Sequence, residues 1–202
     1  MSHMRIEELV SWEKVGDEET LAEDLYGKRL YKQGYRRPGD SHTETFTHFS
    51  QRDWSVVLAI TENKEVLVVW QYKQGCHKIV QELPAGTANF TDEKPETVAK
   101  RELGEETSGY TGQFIFLGPP QFIATRNSPT RFFSFLALDC KKIKDGKLDK
   151  IEDIAVEKVP LEKWIRRCLT EVEEPSAIIT TFRALPHLKK KYDLDLDAIF
   201  ST

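Results

Sequence analysis

Hydrophobic positions along the central part of the chain fall in short runs separated by turn residues. Residues 54–60 and 65–72 are rich in β-branched and aromatic side chains, and Thr61-Glu62-Asn63-Lys64 parts them, which predicts a hairpin. Residues 29–50 place Tyr31, Tyr35, Phe46 and Phe49 among polar positions around the turn signal Arg37-Pro38-Gly39-Asp40, so two strands are expected there. Further strands are expected at 78–83, 114–117, 131–138 and 155–159, with turns at Pro84-Ala85-Gly86 and Asp145-Gly146. Helical sequence runs from Pro95, suited to a first turn, to about Thr107, with Gly109 as the stop. Residues 162–170 and 176–185 also read as helices. Residues 5–25, acidic with scattered apolar positions, read as an extension with no assigned structure. Strands around one central helix, with helices at the end, predict a mixed α/β or α+β sandwich.

The 202 residues fit one domain with a small N-terminal extension, and 39% hydrophobic and 31% charged residues describe an ordinary globular composition. Met1-Ser2-His3-Met4 reads as an expression remnant. No apolar run is long enough to cross a bilayer and no signal-peptide pattern opens the chain, so a cytoplasmic protein is expected. Cys76, Cys140 and Cys168 are odd in number and widely spaced, which argues against a disulfide framework or a zinc site. A net charge of −4 argues against general nucleic-acid binding. An acidic protein still binds a polyanion where a divalent cation supplies the positive charge.

Glu102, Glu105 and Glu106 stand at i, i+3 and i+4 near the end of the central helix, so three carboxylates share one face. Like charges repel at that spacing, and a helix C-terminus disfavours anions. Either the face is merely solvated, or a hard cation with oxygen ligands relieves the repulsion. Arg101, one turn before Glu105, is placed to orient that carboxylate.

The surroundings decide between these readings. Gly86, Glu93 and Arg101-Glu102-Leu103-Gly104-Glu105-Glu106 resemble the Nudix box, G-x5-E-x7-R-E-U-x-E-E-x-G-U, with U a bulky aliphatic residue. The spacing from Glu93 to Arg101 and the R-E-U-x-E-E core agree with the box in full. Gly86 lies one residue too far from Glu93, and Ser108 stands at the final glycine with Gly109 next, like a one-residue slip. The resemblance implies a Nudix α/β/α sandwich around a mixed sheet and a Mg²⁺-dependent hydrolase, with Mn²⁺ as a substitute. It assigns metal contacts to Glu102, Glu106 and the Ala85 carbonyl, with Glu105 a further ligand, and gives Glu93 a role in orienting loop or helix.

Trp70-Gln71-Tyr72-Lys73-Gln74-Gly75 followed by Glu82-Leu83-Pro84-Ala85-Gly86 is similar to a segment of the ADP-ribose and nucleotide-sugar pyrophosphatases. That likeness implies cleavage of the diphosphate in ADP-ribose or a nucleotide sugar, to a nucleoside monophosphate and a sugar phosphate. It places Lys73 or Gln71 near the phosphates and Glu82 near the metals or the terminal phosphoribose. It also implies an N-terminal β extension over residues 5–50, its strands used in dimerisation, ahead of a Nudix domain over 51–202. A catalytic base is expected from a loop after the box, with Glu152 the first choice and Glu157 the second. Arg126 and Asn127 are candidates for phosphate or sugar contacts, and Trp12, Phe46 and Trp54 for stacking on the base. The four histidines after residue 4, His42, His48, His77 and His187, show no ligand spacing and are assigned ordinary roles. Competing readings are a Nudix hydrolase for a dinucleotide or capped RNA, and a non-catalytic Nudix ligand sensor.

Overall fold

A computed structural model describes residues 5–89, 92–143 and 153–201, and these divide into two compact units. The first comprises residues up to Arg52 together with Phe122–Thr130; the second comprises Asp53–Gln121 and the chain from Arg131 onward. The loop Phe122–Thr130, which the sequence reading leaves with the later domain, therefore groups with the N-terminal strands.

In the first unit a short 3-10 turn, Ile6–Glu8, precedes an antiparallel sheet of β1 (Glu13–Glu23), β2 (Arg29–Arg36) and β3 (Thr43–Ser50). β1 belongs to the N-terminal β extension expected from the sequence, at positions where no individual strand is expected. It carries acidic residues on both faces and its pairing with β2 is interrupted between Val15 and Glu19 and between Thr20 and Ala22, so no clean alternation marks it as a strand. Register pairs Tyr31 with His48, Gln33 with Phe46 and Lys14 with Tyr35. Paired residues share a face, so period two brings these side chains to one side of the sheet. The loop is fastened to β3 and its end by Phe49 N–H donating to the Asn127 carbonyl at 3.0 Å and Gln51 N–H donating to Thr130 Oγ1 at 2.9 Å.

The second unit is a mixed sheet in the order β11 (Ile154–Pro160), β5 (Glu65–Lys73), β4 (Trp54–Thr61), β10 (Arg131–Lys142), β8 (Tyr110–Phe116). β4 and β10 are parallel; the other neighbours run antiparallel. β6 (Lys78–Glu82) pairs with β5, and the three-residue β7 (Ala85–Thr87) pairs with β4. The two-residue β9 (Gln121–Phe122) precedes β10. α1 (Pro95–Glu106) covers one face, where Ala99 and Leu103 pack with Val57, Ala59, Leu67, Phe135 and Ala137. α2 (Leu161–Thr170) and α3 (Pro175–Tyr192) cover the other. There the buried Trp164 Nε1 donates to Thr181 Oγ1 at 2.9 Å, and Ser134 of β10 bonds Thr180 of α3 at 2.8 Å. These layers are the α/β/α sandwich expected from the sequence. α3 runs on past Pro186, beyond the stop expected at residue 185, and a short α4 (Leu196–Phe200) follows that the sequence reading did not anticipate. The expected turn at Asp145-Gly146 lies outside the described residues.

The end of α1 resolves the apparent slip at the box glycine. Gly109 N–H donates to the Gly104 carbonyl and Ser108 N–H to the Glu105 carbonyl, the paired bonds of a Schellman stop. Ser108 itself holds the left-handed position at φ 57°, so it occupies the glycine's place rather than being displaced from it. The reading of Gly109 as the box glycine is corrected accordingly. A side chain is strained in that conformation. Replacing Ser108 by Gly is expected to raise stability by about 0.5–1 kcal/mol, the relieved strain less the added freedom of the unfolded chain, with unchanged catalysis. Thermal melts of the two proteins check this.

Candidate active site

The box helix meets the loop after β6 through an unusually close approach. Gly86 faces Glu102 so closely that a Cβ there would overlap the carboxylate. One residue earlier, Ala85 N–H donates to Glu106 Oε2 at 2.9 Å. β7 holds this loop by pairing Val56 with Ala85 and Ser55 with Gly86, and Ser55 Oγ donates to the Pro95 carbonyl at the start of the helix. Glu93 accepts from Asn89 N–H at 2.7 Å and faces Arg101 Nε at 3.5 Å. Arg101 also donates to the Thr87 carbonyl at 2.9 Å, to Glu102 at 2.6 Å and to Glu105 at 3.1 Å. Arg101 thus ties loop and helix together, which makes it a positioning residue here rather than a proton carrier.

Burial separates the three helix carboxylates. Glu105 is exposed, Glu102 is half-buried and Glu106 is buried, 5% exposed. Burial pushes the Glu106 carboxyl up to about 8; the charges of Glu102 and Glu82 push the same way, while the Ala85 N–H and Lys73 oppose them. Three carboxylates therefore bear on one another around a desolvated oxygen pair, with one lysine and one arginine as counterweights. In this arrangement Arg101 engages Glu102 and Glu105, and among the described residues no three acidic, His or Cys side chains close on a common point. The donor set nonetheless fits a hard divalent cation. It is all oxygen, carries excess negative charge, and stands where Gly86 leaves room for nothing larger than hydrogen beside Glu102.

A cavity of about 540 Å³ opens beside this loop. Lys73, Lys78, Glu82, Ala85, Gly86 and Glu173 are among its walls. Lys73 Nζ reaches Glu82 Oε1 and Gln71 Oε1, each at 2.6 Å. The structure therefore brings Lys73, Glu82, Ala85, Gly86, Glu102 and Glu106 into one neighbourhood, and Gln71 joins them through Lys73. Lys78, absent from the sequence-based candidates, pairs with Lys73 across the β5–β6 hairpin and faces Glu173. Trp54, a candidate platform, also lines this cavity but stacks on Phe132 at 5.6 Å.

Glu157 is not part of this neighbourhood. In β11 it pairs with Val68, whereas Glu82 in β6 pairs with the next residue, Val69. Consecutive strand residues point to opposite faces, so the sheet lies between Glu157 and the box helix. Its carboxylate accepts from Trp70 Nε1 at 2.9 Å and from Arg167 at 2.8 and 3.0 Å, and the Arg167 guanidinium holds it below the usual carboxylate range. A carboxylate held that way is a poor base, and the choice of Glu157 is corrected. Glu152 lies outside the described residues.

The remaining candidates meet in the first unit. Trp12, Phe46 and Arg126 line a cavity of about 670 Å³ together with Lys14, Tyr31, Tyr35 and His48. Asn127 is not among its lining residues and is used through its backbone carbonyl, which holds Phe49 N–H. The sequence reading gave His48 an ordinary role. Its alternation with Phe46, opposite Tyr31, was the signal that placed it in an aromatic pocket.

The three cysteines are free thiols, Cys140 and Cys168 buried and Cys76 exposed. Among the described residues no helix is long and apolar enough to cross a membrane. The chain is 31% identical over 111 residues to an ADP-ribose pyrophosphatase of Bacillus subtilis (strain 168), a match spanning 54% of this chain and 59% of that protein. Its fold superposes on a crystal structure described as an ADP compounds hydrolase with a TM-score of 0.78, over 92% of this chain and 98% of that one, at 16% identity. The NUDIX domain family matches residues 49–176, which contain the whole box from Gly86 through Gly109. With the box helix, its loop and the sandwich in place, the chain belongs to the NUDIX family.

Proposed function

We propose that the protein hydrolyses the diphosphate of a nucleoside diphosphate joined to a second group, ADP-ribose or a nucleotide sugar, releasing a nucleoside monophosphate and a sugar phosphate. The observation that carries this is the buried Glu106, anchored on Ala85 N–H beside the Gly86–Glu102 contact, at a cavity that holds Lys73. Glu102 and Glu106, with Glu105 and the Ala85 carbonyl, would hold Mg²⁺, or Mn²⁺ in its place. When bound, the cation neutralises charge on the diphosphate oxygens and acidifies the attacking water. Arg101 keeps the carboxylates and the loop in register; Lys73 offers a point charge to a phosphate oxygen. The proton of the attacking water is assigned to Glu152. The substrate class is supported by the similarity to a protein described as an ADP-ribose pyrophosphatase. Trp12 and Arg126 are proposed to contact the nucleotide. Assembly as a homodimer through the strands of residues 5–50, ahead of a catalytic domain over 51–202, and a cytoplasmic location belong to the same proposal.

A non-catalytic sensor is disfavoured because Glu102, Glu105 and Glu106 are all present, and a capped RNA because the chain is acidic. Incubation with Mg²⁺ and a panel of ADP-ribose, ADP-glucose, GDP-mannose, UDP-glucose, NADH and capped RNA tests the reading. Monophosphate release is expected from ADP-ribose or a nucleotide sugar. Turnover restricted to NADH or RNA would overturn the substrate class, and tight binding without turnover would favour the sensor.

A further inference from the structure

The cavity beside the box loop holds a second lysine to which the proposed reaction gives no role. Lys78, Val80 and Glu82 alternate along β6 and all line the cavity, so period two turns Lys78 to the same side as Glu82. Across the hairpin Lys78 pairs with Lys73, which lines the same cavity. Directly opposed residues of an antiparallel pair hold their Cβ atoms about 5 Å apart, and like charges placed so are destabilising. Two lysines in that position each need an anion.

Each has one, and the two ion pairs are unlike. Lys73 Nζ meets Glu82 Oε1 at 2.6 Å, and the Glu82 side chain is only 10% exposed. Lys78 Nζ meets both oxygens of Glu173, at 2.6 and 2.5 Å, but these side chains are 48% and 61% exposed. Glu173 lies between α2 and α3 and also lines the cavity. An ion pair in water contributes little, because solvent and salt screen it and two long side chains must be held still. Exchanging Glu173 for another anion therefore costs Lys78 little. A diphosphate carries negative charge on two adjacent phosphates, so it matches two adjacent lysines, whereas a single phosphate meets only one of them well.

We propose that Lys78 is a specificity-determining residue, which releases Glu173 and takes a phosphate oxygen of the substrate, so that Lys73 and Lys78 together select a diphosphate over a single phosphate. Glu173 is then an internal competitor: it holds Lys78 while the cavity is empty and weakens the binding of the anion that replaces it. This rests on the reading of the substrate as a diphosphate, and it is testable without turnover.

The experiment measures equilibrium binding of inorganic pyrophosphate and of inorganic phosphate in Mg²⁺, by calorimetry, to the wild-type protein, Lys78→Ala, Lys78→Arg, Glu173→Gln and the double variant Lys78→Ala with Glu173→Gln. Lys78→Ala is expected to weaken pyrophosphate by about tenfold, the worth of one charge-assisted hydrogen bond, and phosphate far less. Lys78→Arg, which keeps the charge, is expected to retain most of the affinity. Glu173→Gln removes the same ion pair from the other side and is expected to tighten pyrophosphate by about threefold. That gain should vanish in the double variant, where no lysine remains to be freed. A pair that only ties β6 to the α2–α3 connection would give losses of the same sign from both single variants. Effects of the same sign would therefore overturn the proposal, as would pyrophosphate binding unchanged in Lys78→Ala. With ADP-ribose as substrate, Lys78→Ala should raise KM by about tenfold with little change in kcat. Opposite effects on pyrophosphate in a protein that turns over no nucleotide would uphold the role of Lys78 and refute the proposed reaction. Turnover of ADP-ribose with KM unchanged in Lys78→Ala would do the reverse.

Discussion

Glu106→Gln is expected to lower kcat by about 10³-fold or more while making the metal-free protein more stable, two effects that oppose each other in an ordinary destabilising mutant. Glutamine keeps an oxygen to accept from Ala85 N–H but removes the charge that a cation would meet. The stability gain follows from the raised carboxyl. Its folded-state value of about 8 stands above the 4.5 of an exposed glutamate. The folded state then binds more protons than the unfolded state throughout the interval between those values, so stability is greatest below 4.5 and declines as pH rises toward about 8. The amide of the variant has no proton to lose. The variant's stability advantage in EDTA, followed by melting temperature, should grow across that interval and level off above it, reaching an order of a few kcal/mol. Adding Mg²⁺ should stabilise the wild type at pH 8 and leave the variant nearly unmoved. A variant that loses activity and also melts lower at every pH would show that Glu106 is structural.

Gly86→Ala is expected to separate folding from chemistry in a different way. The atoms that a Cβ would meet are the end of the Glu102 side chain, whose carboxylate must turn away from its 2.6 Å hydrogen bond with Arg101. None of the three atoms nearest to that Cβ belongs to the backbone, so the melting temperature should change by only a few degrees. The displaced carboxylate, however, no longer stands beside the loop, and misplacement of a catalytic group by about 1 Å can cost about 10²-fold in rate. Activity should fall by about that factor, and saturating Mg²⁺ should restore it only partly. Glu102→Gln should cause a similar loss, and the double variant little more, because both changes act on one carboxylate. Additive losses would contradict the contact as the reason.

The difference between what could and could not be read from the chain is itself physical. The box helix was legible because helical period stacks Glu102, Glu105 and Glu106 where charge repulsion needs a reason. The buried strands β4 and β5 were legible because their runs are rich in β-branched and aromatic residues. β1 was not, because both of its faces are largely solvated and its ladder is broken. Glu157 was misjudged because nearness in sequence to the loop expected to carry the base says nothing of which face of a sheet a residue occupies. One register step, Val68 against Val69, decides it. His48 was passed over for the converse reason: no metal-ligand spacing marks it, and only the fold brings it against Tyr31 in the aromatic pocket. Ser108 marks a third case, where a departure from the box pattern reads as a slip along the chain but is a substitution in place, held at the left-handed stop by its neighbours' hydrogen bonds.

The most direct measurement is the release of AMP from ADP-ribose by wild-type protein and by Glu106→Gln, each with Mg²⁺ and with EDTA. Equal amounts of AMP and ribose phosphate from the wild type with Mg²⁺, and from neither the variant nor the chelated enzyme, are the expected result. AMP release that survives Glu106→Gln, or no release under any condition from a protein that binds ADP-ribose, would contradict the placement of diphosphate hydrolysis at the Gly86–Glu106 site.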